Sequence, residues 1–333
     1  ELLGYDNNAD KAQQLSQSIA NNTKTIDSLL ADLDGLISGL EDVDIVVKEY
    51  NKVSNVKEMI LDKDLDGFLQ VEGDQTTLTL LNDDPTIAKS LEMKVKQIDT
   101  QAKQLKLMGT NAIQSELLSQ DSMNINYVYG SSETELFDTF SPILVGFFVF
   151  FFVFLISGIG LLNERTTGTL ERLLATPIKR GEIVAGYLVG YGLLSLIQTV
   201  IIVLFAINVL DMVLVGSIRT VMLINVIIAL VALSLGILLS SFASSEFQMI
   251  QFIPIIIVPQ IFFSGIFSIE GMADWLQVFA NFMPLYYAAD ALKGVMYEGL
   301  SLSEISSNLY ILLAFAAVFI VLNLFALKKY RKL

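Results

Sequence analysis

The residues best suited to chemistry stand together in Asn163-Glu164-Arg165-Thr166-Thr167-Gly168-Thr169-Leu170-Glu171-Arg172-Leu173-Leu174-Ala175-Thr176-Pro177. Leu170, Leu173 and Leu174 share one helical face, and Glu171 and Arg172 lie off it. Thr166 or Thr167 can cap the turn, and Pro177 ends it. The product is a short rigid elbow with a charged outer face. On the residues alone, the simpler reading is an interfacial helix whose basic side chains lie against anionic lipid.

Other candidate sites are weaker. Asp62-x-Asp64-x-Asp66-Gly67 matches the start of a calcium loop, but the twelfth position is Gly73 where a bidentate Glu belongs, and Glu72 comes one place early. A polar turn ending in Gly is the simpler reading, and no metal site is expected. The chain has no Cys and no His, which removes thiol chemistry and the commonest general base and metal ligand. No nucleophile–base pair or metal cluster is visible, so an enzyme is not expected. Gly-Lys occurs nowhere, so there is no phosphate-binding Gly-x-x-x-x-Gly-Lys-Ser/Thr loop and no recognisable ATP site. Asn21-Asn22-Thr23 matches a glycosylation acceptor and reads as helix surface.

These residues are positioned by two unlike regions. The chain is 53% hydrophobic against about 45–50% in soluble domains, and the excess lies after residue 140. Residues 1–140 hold 11 Lys and 25 Asp plus Glu, whereas residues 141–333 hold 10 basic and 10 acidic residues. An acidic surface disfavours nucleic acid. Residues 1–140 read as a mixed α/β domain, with helices at 9–40, 54–63 and 85–107 and strands at 42–47, 68–71, 76–81 and 124–129. A spanning helix needs about 20 apolar residues. Five segments qualify: 141–162, 183–210, 219–242, 247–268 and 306–327. A membrane α-helical bundle follows, since irregular backbone cannot face lipid.

Lys and Arg set the orientation. Arg165, Arg172, Lys179 and Arg180 lie in the connection 163–182, and Lys328, Lys329, Arg331 and Lys332 in the tail. The opposite side has only Arg219 and Lys293. The connection and the tail therefore face the cytoplasm of a cell membrane, and the acidic domain lies outside. Bringing it there takes a span upstream of Glu1, in keeping with a start that has neither Met nor an apolar leader. Segment 269–300 mixes acids with Trp275, Phe279, Phe282, Tyr286 and Tyr287, a composition for short helices at the outer interface.

No span carries a charge at its middle, whereas proton- and ion-driven carriers place acids or His within the membrane. The energy must therefore come from elsewhere. Gln198, Thr199, Asn208, Asn225, Gln251, Gln260 and Asn323 are the polar residues in the spans. They read either as a weakly polar path, for which Gln198, Thr199, Asn225, Gln251 and Gln260 are the candidates, or as interhelical hydrogen-bond glue. Gly186-x-x-x-Gly190 permits close helix contact, within the subunit or between subunits, and Pro254 and Pro259 should kink their span.

Glu164-Arg165-x-x-Gly168-Thr169-Leu170-Glu171-x-Leu173-Leu174-x-Thr176-Pro177 resembles the cytoplasmic loop of type-2 ATP-binding-cassette (ABC) transporter permeases. Phe263-Ser264-Gly265-Ile266-Phe267-Ser268-Ile269-Glu270 resembles that family's fifth span and its exit. Trp275-Leu276, Pro284-Leu285-x-Tyr287 and Asp290-Ala291-Leu292-Lys293 resemble its extracellular re-entrant region. Met272-Ala273-Asp274 departs from the Met-Pro common before the Trp. The resemblance covers residues 138–333, and the large domain before them is similar to the drug- and lipid-exporter branch.

The resemblance implies a six-span prokaryotic subunit that pairs with a second permease subunit and docks a cytoplasmic ATPase. ATP and Mg would belong to that partner, with no cofactor on this chain. Residues 164–180 would form the coupling helix, with Glu164, Arg165, Gly168, Thr169, Leu170, Glu171 and Arg172 receiving the stroke. Gly265, Glu270, Trp275, Pro284 and Tyr287 would form an extracellular gate. An uncharged path favours a hydrophobic or amphipathic cargo such as a drug, lipid or lipid-linked compound. The alternatives are an ion-exporting permease and a membrane-anchored receptor or scaffold, although five or six spans exceed what anchoring needs.

Overall fold

The computed structural model describes residues 46–50, 53, 55–72, 75–108, 123–267, 269 and 272–326. The expected helix at 9–40, the acceptor Asn21, Glu270 and the basic tail lie outside them. So does most of the expected strand at 42–47, and Val46 and Val47 are not in a strand. The chain divides into two compact units, Glu1–Glu133 and Thr134–Leu333.

In the first unit, α1 (Val56–Lys63) is capped by Asn55, whose side chain accepts from Glu58 N. It ends where Asp64 turns left-handed at φ 52°. Strands β1 (Gly67–Glu72), β2 (Gln75–Leu80) and β3 (Asn124–Tyr127) form one sheet in that order. β1 and β2 pair antiparallel with Leu69 opposite Leu78, and β2 and β3 pair parallel with Leu78 opposite Ile125. Alternation along β2 buries Leu78 and Leu80. Helix α2 (Pro85–Met108) starts at Pro85, behind Asp84, which accepts from Thr86 N at 2.8 Å. Its Ala88, Val95 and Ile98 close the core over β2.

The second unit holds α3 (Leu136–Thr166), α4 (Thr169–Leu174), α5 (Arg180–Asn208), α6 (Ile218–Ser240), α7 (Glu246–Ile261), α8 (Asp274–Ala280), α9 (Pro284–Met296) and α10 (Ser306–Ala326). Five of its helices are long and apolar enough to cross a membrane: α3, α5, α6, α7 with its extension, and α10. Helix α6 lies at the centre and is mostly buried, against α3, α5, α9 and α10. Helices α5 and α10 keep most of their apolar surface outward. Val189, Leu193, Ile197, Ile201 and Phe205 form such an exposed stripe on α5. A bundle that leaves this much apolar surface open is built for a hydrocarbon surround.

One expectation is corrected here. Gly186 and Gly190 support no close contact within the subunit, since a β-carbon at either would meet nothing within 4 Å. Helix α7 runs through Pro254 and Pro259 and gives way to a π-helical segment, Phe262–Ile266, in which Gly265 takes φ 91°. The described part of segment 269–300 folds as two helices, α8 and α9. Of these, α9 is a buried wedge, with Leu285, Ala288, Ala291, Leu292, Val295 and Met296 fully covered. Val215 N and Gly216 N donate to Met296 O and Val295 O at 2.8 and 3.0 Å, which pins the α5–α6 connection to the end of α9.

Candidate functional site

The elbow is more segmented than one helix over 164–180. α3 runs through Thr166, Gly168 reverses the chain at φ 74°, and α4 is a six-residue helix before Ala175. The threonines do not cap α4. The Thr167 hydroxyl donates back to Asn163 O at 2.8 Å and the Thr166 hydroxyl to the same carbonyl at 3.1 Å. The capping position falls to Gly168, whose left-handed backbone strongly favours glycine. The Thr176 hydroxyl closes the far end by donating to Leu173 O at 2.6 Å. Glu182 then accepts from Lys179 N at 2.9 Å and starts α5.

Leu170 anchors this turn. It is 2% exposed and packs with Ile183 and Val184 of α5, with Leu173 and Ile178 at the margin. Anchored there, α4 presents Thr169, Glu171 and Arg172 outward. Arg172 Nε donates to Gly168 O at 3.3 Å, which leans the guanidinium back over the turn. A small cleft beside it is lined by Leu162, Arg165, Thr166, Leu170, Glu171, Ala243 and Ser244.

Glu164 and Arg165 belong to the inner side. Tyr187 Oη donates to Glu164 Oε2 at 2.6 Å, and Tyr191 Oη donates to Oε1 at 3.4 Å. Arg165 Nη1 donates to Ser240 O and, at 3.0 Å, to Ala243 O, at the C-terminal end of α6 where carbonyls lack helical partners. Sequence reasoning missed Tyr187 and Tyr191. The available signal was two tyrosines four residues apart at the entry of an apolar span, one face of one helix. Gly160 belongs with them, because a β-carbon there would meet the Tyr191 ring at 2.9 Å.

The candidate path residues are not one set. Gln251 is exposed on α7. Gln260 is buried, and its Oε1 accepts from Leu285 N at 2.9 Å, which caps the first turn of α9. Thr199 and Asn225 are fully buried on α5 and α6. A β-carbon at Gly192 would stand 3.8 Å from Leu233 Cδ2, so these antiparallel helices face each other there. Asn225 Nδ2 donates to Val221 O at 2.9 Å. Among the described residues, Asn225 Oδ1, Thr199 Oγ1 and the neighbouring Gln198 Nε2 have no hydrogen-bond partner, and neither has Asn323 Oδ1. Asn323 Nδ2 donates to Ser234 O at 2.8 Å and so joins α10 to α6.

Of the gate candidates, Gly265 ends the π segment, and Pro284 starts the wedge α9, which packs on that segment. The Tyr287 hydroxyl donates to Asn281 O at 3.1 Å, and its ring lies 6.2 Å from Phe315. Trp275 stands apart, 70% exposed.

In the first unit, Asp62 pairs with Lys63 at 3.3 Å, and Asp64 caps α1. Burial, with Asp83 and Asp64 nearby, pushes the Asp66 carboxyl up. Among the described residues no group of three or more acids stands close enough to hold a metal ion.

Comparison with known proteins agrees with a membrane transporter protein. Residues 3–325 match the model of a family described as ABC-2 family transporter protein. The chain is 27% identical over 201 residues to ABC transporter G family member 20 of Dictyostelium discoideum, covering 57% of this chain and 28% of that protein. It is 27% identical over 177 residues to the probable multidrug ABC transporter permease YbhR of Escherichia coli, 53% of this chain and 48% of the relative. It is 26% identical over 191 residues to the linearmycin resistance permease protein LnrN of Bacillus subtilis, 55% of this chain and 48% of the relative. The chain thus spans about half the length, or less, of the curated relatives it matches. No solved structure matches it.

Proposed function

The chain belongs to the ABC-2 family of transporter proteins, and from that premise we propose that it is the membrane permease of an exporter driven by ATP that a separate chain hydrolyses. The observation that carries this reading is the elbow. Leu170 fixes α4 to the entry of α5, and Glu171 and Arg172 are left outward at the end of a spanning helix. A short helix anchored by one buried leucine, with charge on its free face, is suited to receive a rigid partner. ATP and Mg are held by that partner, a cytoplasmic ATPase, and a second permease subunit completes the conduit. The elbow faces the cytoplasm because the basic residues of 163–182 gather there, and the unit Glu1–Glu133 is extracellular.

The cargo is hydrophobic or amphipathic, a drug, a lipid or a lipid-linked compound. Support comes from spans without central charges and from relatives named for multidrug transport and linearmycin resistance. Gln198, Thr199 and Asn225 lie on its path, where a hydrogen-bonding head group would satisfy the buried atoms that have no partner among the described residues. The wedge α9 and the break at Gly265 form the outer gate.

The test is gentle purification of the full permease with its ATPase. Glu171→Ala with Arg172→Ala should abolish co-purification and leave the permease folded. Labelling of Thr176→Cys, the one thiol in a chain without Cys, should occur only from the cytoplasmic side. Labelling from outside refutes the proposal, since no ATPase could reach the elbow.

A further inference from the structure

Glu164 and Arg165 are neighbours in sequence, yet they bind different helices. Successive residues on a helix point about 100° apart, so one helical end can hold two partners at once. The Glu164 carboxylate is held by the hydroxyls of Tyr187 and Tyr191, one turn apart on α5. The two rings stack with centroids 6.2 Å apart, and Gly160 leaves the room that lets Tyr191 reach in. The Arg165 guanidinium bridges two carbonyls, Ser240 O and Ala243 O, which bracket the α6–α7 turn. Leu170 adds an apolar contact from α4 to α5.

We propose that Glu164 and Arg165 are transmission ties rather than docking residues: Glu164, through Tyr187 and Tyr191, locks the elbow to α5, and Arg165 locks it to the α6–α7 turn. This rests on the elbow reading above and assigns the charged residues of the motif to separate tasks. Glu171 and Arg172 meet the partner. Glu164 and Arg165 divide the received displacement between the α5 arm and α7, the helix that runs on to the break at Gly265. Hydrogen bonds to a charged acceptor suit this work, since they are stronger and more directional than neutral ones. Arg165 donates to both carbonyls from Nη1, at the end of its side chain, a place that the ammonium of Lys, one bond shorter, does not reach.

The test uses the full permease, with nitroxide pairs on introduced thiols, which a chain free of Cys permits. Ala175 and Ala185 are exposed and report the elbow against α5, and Ala175 with Glu246 reports it against the start of α7. In the permease alone, both distance distributions should be narrow. Tyr187→Phe with Tyr191→Phe, which removes only hydroxyls, should broaden the first pair and leave the second. Arg165→Lys should do the reverse. Glu164→Gln keeps an acceptor oxygen and should restore most of the order that Glu164→Ala loses.

With the ATPase bound, the double Phe variant should co-purify normally but turn over ATP about tenfold more slowly, the factor that one charge-assisted hydrogen bond is worth. Unchanged distributions in the Phe and Lys variants overturn the inference, and so does loss of co-purification in the Phe variant, which would make Glu164 a docking residue. If the ties behave as described in the permease but no ATPase binds the wild type, the coupling reading falls and the ties stand.

Discussion

The crossing of α3 and α6 brings backbone close to backbone, and Gly236→Ala tests it. A β-carbon at Gly236 would lie 2.7 Å from Phe154 O and 3.2 Å from Gly158 N, and would collide with Ser157 Oγ. The serine hydroxyl can rotate away. The two backbone atoms cannot, so α3 and α6 must part by several tenths of an ångström. That parting runs through the core formed by Val153, Phe154, Leu161, Ile228, Ala232 and Leu235. Overpacking of this kind costs about 1–3 kcal/mol, and a contact with backbone belongs at the upper end. Against it stands the better helix propensity of Ala over Gly, about 1 kcal/mol. The net loss is about 2 kcal/mol, or roughly 4–8 °C in the unfolding midpoint of a unit this size. The assay is thermal unfolding of the full chain in a mild detergent, with two controls. At Gly192 the new carbon meets only Leu233 Cδ2 at 3.8 Å, and at Gly186 it meets nothing within 4 Å. Both controls should hold or raise the midpoint. If Gly236→Ala unfolds within a degree of Gly192→Ala, the helices do not meet backbone to backbone and the account of the core is wrong.

Thr199→Val and Asn225→Leu remove buried atoms without partners, so the midpoint should hold or rise while transport of a dye or drug in vesicles falls severalfold; a lower midpoint with intact transport would make them glue. Gln260→Met leaves Leu285 N without its acceptor and should cost about 1–3 kcal/mol, read as a lower midpoint that Gly186→Ala does not show. In the first unit, Tyr127 Oη donates to Glu92 at 2.9 Å, and burial together with that carboxylate pushes the phenol up to about 12. Its contribution is therefore complete below the ordinary phenol value near 10 and lost as pH rises through about 12, and Tyr127→Phe should abolish that alkaline loss. Burial alone would raise Glu92, but hydrogen bonds from Lys96 and Tyr127 outweigh it and hold the carboxyl below its usual range. Its contribution is present above about pH 4.3 and lost as pH falls through the lowered value. Denaturant unfolding followed by a fluorophore on exposed Met93→Cys reads both limbs, and a flat response above pH 10 would count against the pair.

The spans were legible because crossing hydrocarbon imposes a length and a composition that few other tasks impose. The apolar runs at 183–210 and 219–242 lie within a residue or a few of α5 and α6. The elbow was legible from Leu170 and Pro177, for a similar reason: few residues can anchor or stop so short a helix. Its caps were not. Thr166 and Thr167 have the right side chains for an N-cap, but the hydroxyls find Asn163 O behind them, and the reversal uses the backbone freedom of Gly168 instead. The partners of Glu164 and Arg165 were out of reach, since 23 and 75 residues separate Glu164 from Tyr187 and Arg165 from Ser240. Which polar residue is glue and which is not depends on facing. Asn323 and Asn225 read alike in the sequence, and both leave their amide oxygen open; only the packing of α10 on α6 gives the Asn323 amide nitrogen a partner on another helix, Ser234 O, where that of Asn225 finds one within its own helix.

The two ends of the bundle are built differently. At one, a six-residue helix, two tyrosine hydroxyls and one guanidinium converge on the last turn of α3. The opposite end has a different construction: α7 breaks at Gly265, and α9 is held by a hydrogen bond from Leu285 N to Gln260 and by two more from the α5–α6 connection. Packed interiors transmit displacement because they have little free volume to absorb it. On the coupling proposed above, a push on α4 travels along α3 and α5 and is released where regular helix stops, at Gly265.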